Sequence, residues 1–204
     1  MPASVYASIN ALNKSVNYPS WMMSIWRLIL WHTFRVVHTI LCTVVSSMGG
    51  ALKHVWPNAV YFRWLVLACV GMRKVEAGEI VKAKRFGDEL LHLSEKYKDD
   101  WNYGNAIHKG NLILGRVALR QGNIKAAKQY LIHAGETPGS PQLDSFGPNM
   151  SLAKELLEAG EKEAVLDYFR KCANFWEMDF GKLKNWAEII QSGRTPKFGP
   201  HLLY

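Results

Sequence analysis

Apolar residues return at helical spacing in one segment after another along this chain. Residues 21–48 (WMMSIWRLILWHTFRVVHTILCTVVSSM) are the longest such run. They predict a helix of about 25–28 residues that stops at Gly49 and Gly50. Leu30, Phe34, Val37, Leu41 and Val44 share one stripe of it; Arg27, Arg35, His38, Cys42 and Ser46 share another, with Trp31 at its edge. A second apolar stretch, residues 55–72, follows and can pair with the first as a hairpin. Further on, Asp99 and Asp100 place acids at the positive end of a helix that starts near Trp101 and stops at Gly122. Residues 135–149 (GETPGSPQLDSFGPN) read as the one long loop, with Pro148 suited to the first turn of the next helix. A last helix over residues 180–191 puts Leu183, Trp186, Ala187 and Ile190 on one face, and the tail GRTPKFGPHLLY reads as extended.

Three segments within this pattern fall on one template. They are VGMRKVEAGEIVKAKRFGDEL from Val70, LGRVALRQGNIKAAKQYLIHA from Leu114 and LAKELLEAGEKEAVLDYFRKC from Leu152. Each has an early small residue (Gly71, Gly115, Ala153) and then a turn glycine (Gly78, Gly122, Gly160). A compact residue follows (Ala83, Ala127, Val165), and an apolar one closes the segment (Leu90, Ala134, Cys172). The pattern describes two antiparallel helices joined by a tight turn. The small residue permits close approach, and the glycine takes the left-handed conformation that ends the first helix. One such pair cannot bury its apolar face alone, so pairs stack.

The template resembles the tetratricopeptide repeat. The second copy matches best, with Leu114, Gly115, Ala118, Gly122, Ala127, Leu131 and Ala134, and Pro138 closing it. The third is degenerate, and in the first Gly87 replaces the usual apolar residue. The turn glycines lie 44 and 38 residues apart, longer than the 34-residue period of the family, so the linkers carry extra residues. The resemblance covers about residues 64–180 and implies an all-α stack of helix hairpins, closed by residues 180–191 as a capping helix. The expected organisation is a basic, Trp-rich helical segment over residues 1–63, a TPR-like domain over 64–192 and an extended tail over 193–204.

Charge separates the first of these regions from the rest. Residues 1–75 contain no Asp or Glu, yet carry Lys14, Arg27, Arg35, Lys53, Arg63, Arg73 and Lys74. The other 129 residues hold 18 Lys and Arg against 17 Asp and Glu, so almost all of the formal +8 sits in the acid-free third. Five of the eight tryptophans lie there too: Trp21, Trp26, Trp31, Trp56 and Trp64. That combination points to a partner that is negative and partly apolar, which an anionic lipid surface fits. Spanning a bilayer would place Arg35 near its middle at a cost of roughly 2.5–3.5 kcal/mol. The ten Leu, Ile, Val and Phe residues between Leu28 and Val45 return about 0.3–0.6 kcal/mol each, which leaves spanning near balance. A basic stripe beside an apolar one with flanking Trp suits the plane of a membrane interface, with Trp21, Trp26, Arg27, Trp31, Arg35 and Lys53 as its contacts. Packing of this helix on protein, with its arginines reaching solvent, is the competing arrangement. A secretory signal is not expected, because the apolar run is too long and is broken by Arg27 and Arg35. A presequence shares the acid-free character but not such sustained apolarity.

Candidate chemistry is sparse. No glycine-rich phosphate loop, nucleophile elbow or HExxH occurs. His32 and His38 are six apart, off the chelating i, i+4 spacing, and neither metal nor cofactor is expected. Cys42, Cys69 and Cys172 read as buried free thiols in a reducing compartment. The basic residues lack a polar groove-facing cluster, so nucleic acid is not an expected partner. The resemblance implies a binding face along the first helix of each pair. Carried onto this chain, it gives Lys109, Arg116, Arg120 and Lys154 as a basic stripe suited to an acidic peptide or carboxylate. The family's carboxylate clamp does not carry over, because Ala68 and Met72 stand at the matching positions. The expected function is therefore a non-catalytic scaffold that binds other proteins. It would act as an accessory subunit inside the cell, docked at a membrane or in a membrane-bound assembly. The rival is a soluble enzyme or small-ligand protein with a pocket between the stack and the N-terminal helices, using His108, His133 and Asp144.

Overall fold

The computed structural model describes residues 59–203, and the contacts proposed for Trp21, Trp26, Arg27, Trp31, Arg35 and Lys53 lie outside them. The described part contains eight α-helices and one 3-10 turn, with no strand among the described residues. In chain order the helices are α1 (Ala59–Glu76), α2 (Ile80–Ser94), α3 (Tyr103–Arg120), α4 (Ile124–Gly135), α5 (Pro141–Phe146), α6 (Ser151–Glu158), α7 (Lys162–Cys172) and α8 (Lys182–Gln191). The 3-10 turn, Gly199–Leu202, follows. The chain divides into two units at Ala59 and Val60, and α1 runs through the boundary expected between residues 63 and 64. None of the described helices is long and apolar enough to cross a membrane.

Each long helix buries the stripe its sequence periodicity defines. In α2 the buried positions are Ala83, Gly87, Leu90, Leu93 and Ser94; in α7 they are Val165, Tyr168, Phe169 and Cys172. In α8, Leu183, Trp186 and Ile190 are buried and Ala187 packs partly against the same core. The connections α1–α2, α3–α4 and α6–α7 turn at Gly78, Gly122 and Gly160, with φ of 74°, 76° and 85°. An L side chain in that region costs roughly 1–2 kcal/mol, which is why glycine stands at all three.

Two cores result, and α3 contributes to both. Trp64, Leu67, Ala68 and Val75 of α1 pack with Ala83, Leu90 and Leu93 of α2 and with Ala106, Ile113 and Val117 of α3. Leu112 and Ala118 of α3 join Leu131, Leu152, Leu156, Tyr168, Trp176 and Trp186 in the second core. Thirteen residues of α3 are buried, so it is the central helix of the described unit. At the far edge of the first core, the Trp64 indole donates to Ser94 Oγ at 3.0 Å, and Ser94 Oγ donates to the Leu90 carbonyl at 2.7 Å.

Four local expectations change. The central helix starts at Tyr103, because Asp100 turns back before it: its Oδ1 accepts from the Asn102 N–H and its Oδ2 from the Tyr61 hydroxyl. The long loop contains a helix of its own, α5, with Ser140 Oγ capping the Leu143 N–H and Pro141 in its first turn. Pro148 lies before α6 and not inside it, and Asn149 Oδ1 accepts from the Ser151 N–H at the helix start. The tail folds back, with Phe198 and His201 buried and the Met150 N–H donating to the His201 carbonyl at 2.7 Å. Cys172 is buried as expected, whereas Cys69 is only partly so.

Candidate functional site

The four cations expected on the binding face sit on α3 and α6 and differ in surroundings. Arg116 is buried: its Nε and Nη2 donate to Glu155 Oε1 at 3.1 and 2.8 Å. Arg120 Nη2 reaches the same oxygen at 3.1 Å, while Glu76 Oε1 of α1 stands 3.9 Å from Arg116 Nη1. Lys154 pairs with Glu158 one turn along α6 at 2.9 Å, and Lys109 is partly exposed on α3. Carboxylates from α1 and α6 therefore alternate with the α3 guanidiniums, and the stripe is not a run of uncompensated positive charge. Glu155 lies beside Lys154 in the same predicted helix, but its pairing with Arg116, 39 residues away in the chain, is not written in that spacing.

The other half of α3 is held by neutral groups. His108 is fully buried, with Nδ1 2.9 Å from the Ala134 carbonyl and Nε2 3.1 Å from the Asn149 N–H. Because Nε2 accepts, the ring carries its proton on Nδ1 and is neutral. Burial pushes its pKa down to about 4, and Lys109 nearby adds to the effect while the Ala134 bond opposes it. Tyr168 stacks on the ring with centroids 6.4 Å apart, and its hydroxyl donates to the Asn149 carbonyl at 2.9 Å. The Tyr168 phenol and the Cys172 thiol are both pushed up by burial. Thr137 Oγ1 donates to the Gly104 carbonyl, Ser140 Oγ to Asn105 Oδ1, and Asn105 Nδ2 to Gln142 Oε1. A Cβ on Gly104 would lie 1.7 Å from the Gly139 carbonyl oxygen, so the segment between α4 and α6 is laid directly onto α3.

The residues named for a catalytic alternative do not converge. Both nitrogens of His108 are occupied, so it cannot serve as a base in this arrangement. His133 is exposed. Asp144 accepts from the Glu177 N–H at 3.3 Å, and burial, then Glu177, raises its carboxyl above the usual range. Among the described residues no group of three or more His, Cys, Asp or Glu is placed to hold a metal. The pocket expected between the stack and the N-terminal helices lies outside the described residues.

A cleft that the sequence reading did not anticipate opens beside the start of α8. It has a volume of about 390 Å³ and is lined by Phe180, Lys182, Asn185, Trp186, Lys197 and Phe198, with the C-terminal 3-10 turn closing one side. No Asp or Glu lines it. Phe180 has φ of 50°, the one positive value on a non-glycine among the described residues, and is 67% exposed. With Gly181 (φ 75°) it forms a turn closed by the Lys182 N–H on the Asp179 carbonyl at 3.1 Å. Such a conformation costs about 1–3 kcal/mol, and an exposed ring offsets little of it by burial. Lys182 Nζ lies 5.2 Å from the Phe180 ring centroid and 5.6 Å from that of Trp176. The cleft escapes a sequence reading because its walls come from the start of α8 and from the C-terminal turn, with residues 187–196 between them.

Compared with known proteins, the chain matches no protein-family model, no curated protein and no solved structure.

Proposed function

We propose that this chain is a non-catalytic interaction protein: a TPR-like stack of helix hairpins that holds partner proteins, preceded by a basic, Trp-rich segment that docks on an anionic membrane surface. The observation that carries the first part is geometric. Three successive helix pairs turn at glycines of nearly equal positive φ, at the three equivalent positions of the template. A Cβ on Gly71 or Gly115 would fall 2.6 or 2.3 Å from Ile113 or Leu152, each on the first helix of the following pair. Close approach of successive first helices is what a stack requires.

Within this reading Lys109, Arg120 and Lys154 contact the partner, and Arg116 works from beneath. Its bonds to Glu155 keep α3 and α6 in register and orient the exposed Arg120. Capture of partners by the tagged full-length chain from its own cells tests this. The triple variant Lys109→Glu, Arg120→Glu, Lys154→Glu loses the specific partners, and equal capture by wild type and variant removes the face from the proposal. The membrane part rests on composition alone, and co-sedimentation with phosphatidylcholine vesicles, with and without phosphatidylserine, tests it. Wild type pellets with the anionic vesicles, and Arg27→Gln with Arg35→Gln reduces pelleting. Sedimentation independent of both lipid charge and these arginines refutes it.

A further inference from the structure

We propose that the Arg116–Glu155 pair is the point on the α3–α6 face that selects its partner, and that it takes a primary carboxamide, the side chain of an asparagine or glutamine in a partner segment. The inference rests on reading that face as the binding surface, and names the chemistry the face admits. Its basis is how the hydrogen bonds of the pair are shared out. Three N–H donors converge on Glu155 Oε1: Arg116 Nε at 3.1 Å, Arg116 Nη2 at 2.8 Å and Arg120 Nη2 at 3.1 Å. Glu155 Oε2 and Arg116 Nη1 are buried, and neither has a hydrogen-bond partner among the described residues. Three buried side-chain polar atoms are left so among those residues, and two of the three belong to this one ion pair. A buried polar atom left unpaired is costly, most of all on a charged group, so a group that pairs both atoms is bound with advantage.

One atom donates and the other accepts, which fixes the class of occupant. A carboxamide carries a carbonyl oxygen for Arg116 Nη1 and an NH2 for Glu155 Oε2 in a single plane. A carboxylate would satisfy Nη1, but would meet like charge at Oε2 and at Glu76 Oε1, which stands 3.9 Å from Nη1. An ammonium would meet like charge at the guanidiniums of Arg116 and Arg120. The acidic residue expected from the basic stripe therefore does not belong at this point of it. The Glu76 and Arg120 side chains beside the pair are 61% and 46% exposed, and the occupant enters as they rotate into solvent.

Nuclear magnetic resonance of the isotope-labelled full-length chain tests the proposal. The reporter is the Arg116 Nε–H signal, identified by its loss in Arg116→Lys. The probes are N-acetylglutamine methylamide and its glutamate and methionine counterparts, small enough that binding falls in the millimolar range. The glutamine probe shifts the signal saturably, and the glutamate and methionine probes bind at least about tenfold more weakly. Glu155→Gln gives a readout that a purely structural role would not move. Its NH2 stands where Oε2 accepted, so preference passes from the glutamine probe to the glutamate probe. Lys125→Glu, at an exposed position on α4, leaves the preference unchanged. No saturable shift with any probe means that the pair holds a resident water only, and overturns the proposal. Equal binding of the glutamine and methionine probes also overturns it, as does a Glu155→Gln variant that still prefers glutamine. Partner capture decides the interaction reading separately. If the triple variant of Lys109, Arg120 and Lys154 abolishes capture while no probe binds, the face stands and the carboxamide subsite is refuted.

Discussion

The two halves of the central helix are fastened by opposite means. Near its C-terminal end, Arg116 and Arg120 grip one carboxylate oxygen of Glu155, an ionic clamp joining α3 to α6. Near its N-terminal end, Gly104, Asn105 and His108 hold the segment from Thr137 to Asn149 through neutral hydrogen bonds and close backbone contact. The difference follows from burial. His108 is fully enclosed and stays neutral, because a charge there would have no partner. The enclosed Arg116 guanidinium is instead paired with a carboxylate, as a buried charge requires. One end of the helix therefore depends on a charge being present, and the other on a charge being absent.

The largest effect belongs to the ionic end. Glu155→Ala leaves the enclosed Arg116 guanidinium with only the exposed Glu76 carboxylate at 3.9 Å and lowers stability by about 3 kcal/mol, read from urea unfolding. The double variant Arg116→Met, Glu155→Leu recovers most of that loss, since the desolvated charges leave together. If it does not, the clamp contributes more than its burial costs.

Acid separates the two ends next. His108 has a folded pKa of about 4, below its ordinary value of 6.5, so between these pH values the unfolded chain binds more protons. Stability from this group is complete above about pH 6.5 and falls as pH drops toward 4. Urea midpoints across that range show the slope in wild type and lose much of it in His108→Gln. An unchanged slope in the variant would assign the acid sensitivity to other groups.

Smaller effects refine the picture. Ser140→Ala removes both the α5 cap and the bond to Asn105, and costs about 1 kcal/mol in thermal or urea unfolding. Lys128→Ala breaks a partly solvated bridge to Glu161 at 2.8 Å and changes stability by less than about 0.5 kcal/mol. A larger loss at Lys128 than at Ser140 would reverse the ranking of partly buried neutral bonds over surface ion pairs.

Most of the helical pattern was legible because its causes are local. The stripe Leu183, Trp186, Ile190 announces the buried face of α8, and Gly78, Gly122 and Gly160 announce its predecessors' turns by their position alone. Where local signals were misread, they were still present. Ser140 followed by Pro141 is a helix start inside the expected loop, and Asn149 two residues before Ser151 is a better start for α6 than Pro148. The candidate face was legible only as a set of positions. That Arg116 would be buried could not be read from its spacing on α3, because the burial is supplied by other helices.

By itself the sequence determined the α-helical character of residues 59–203, most of their helix boundaries and the residues facing inward, since periodicity, caps and turn glycines act within a few residues. Only the tertiary structure decided which charges are neutralised, which tautomer His108 holds and where a cleft opens. Those outcomes depend on groups 39, 41 and 26 residues apart in the chain, Arg116 with Glu155, and His108 with Asn149 and Ala134. Electrostatics and burial act through space, and at those separations the chain order alone carries no record of who meets whom.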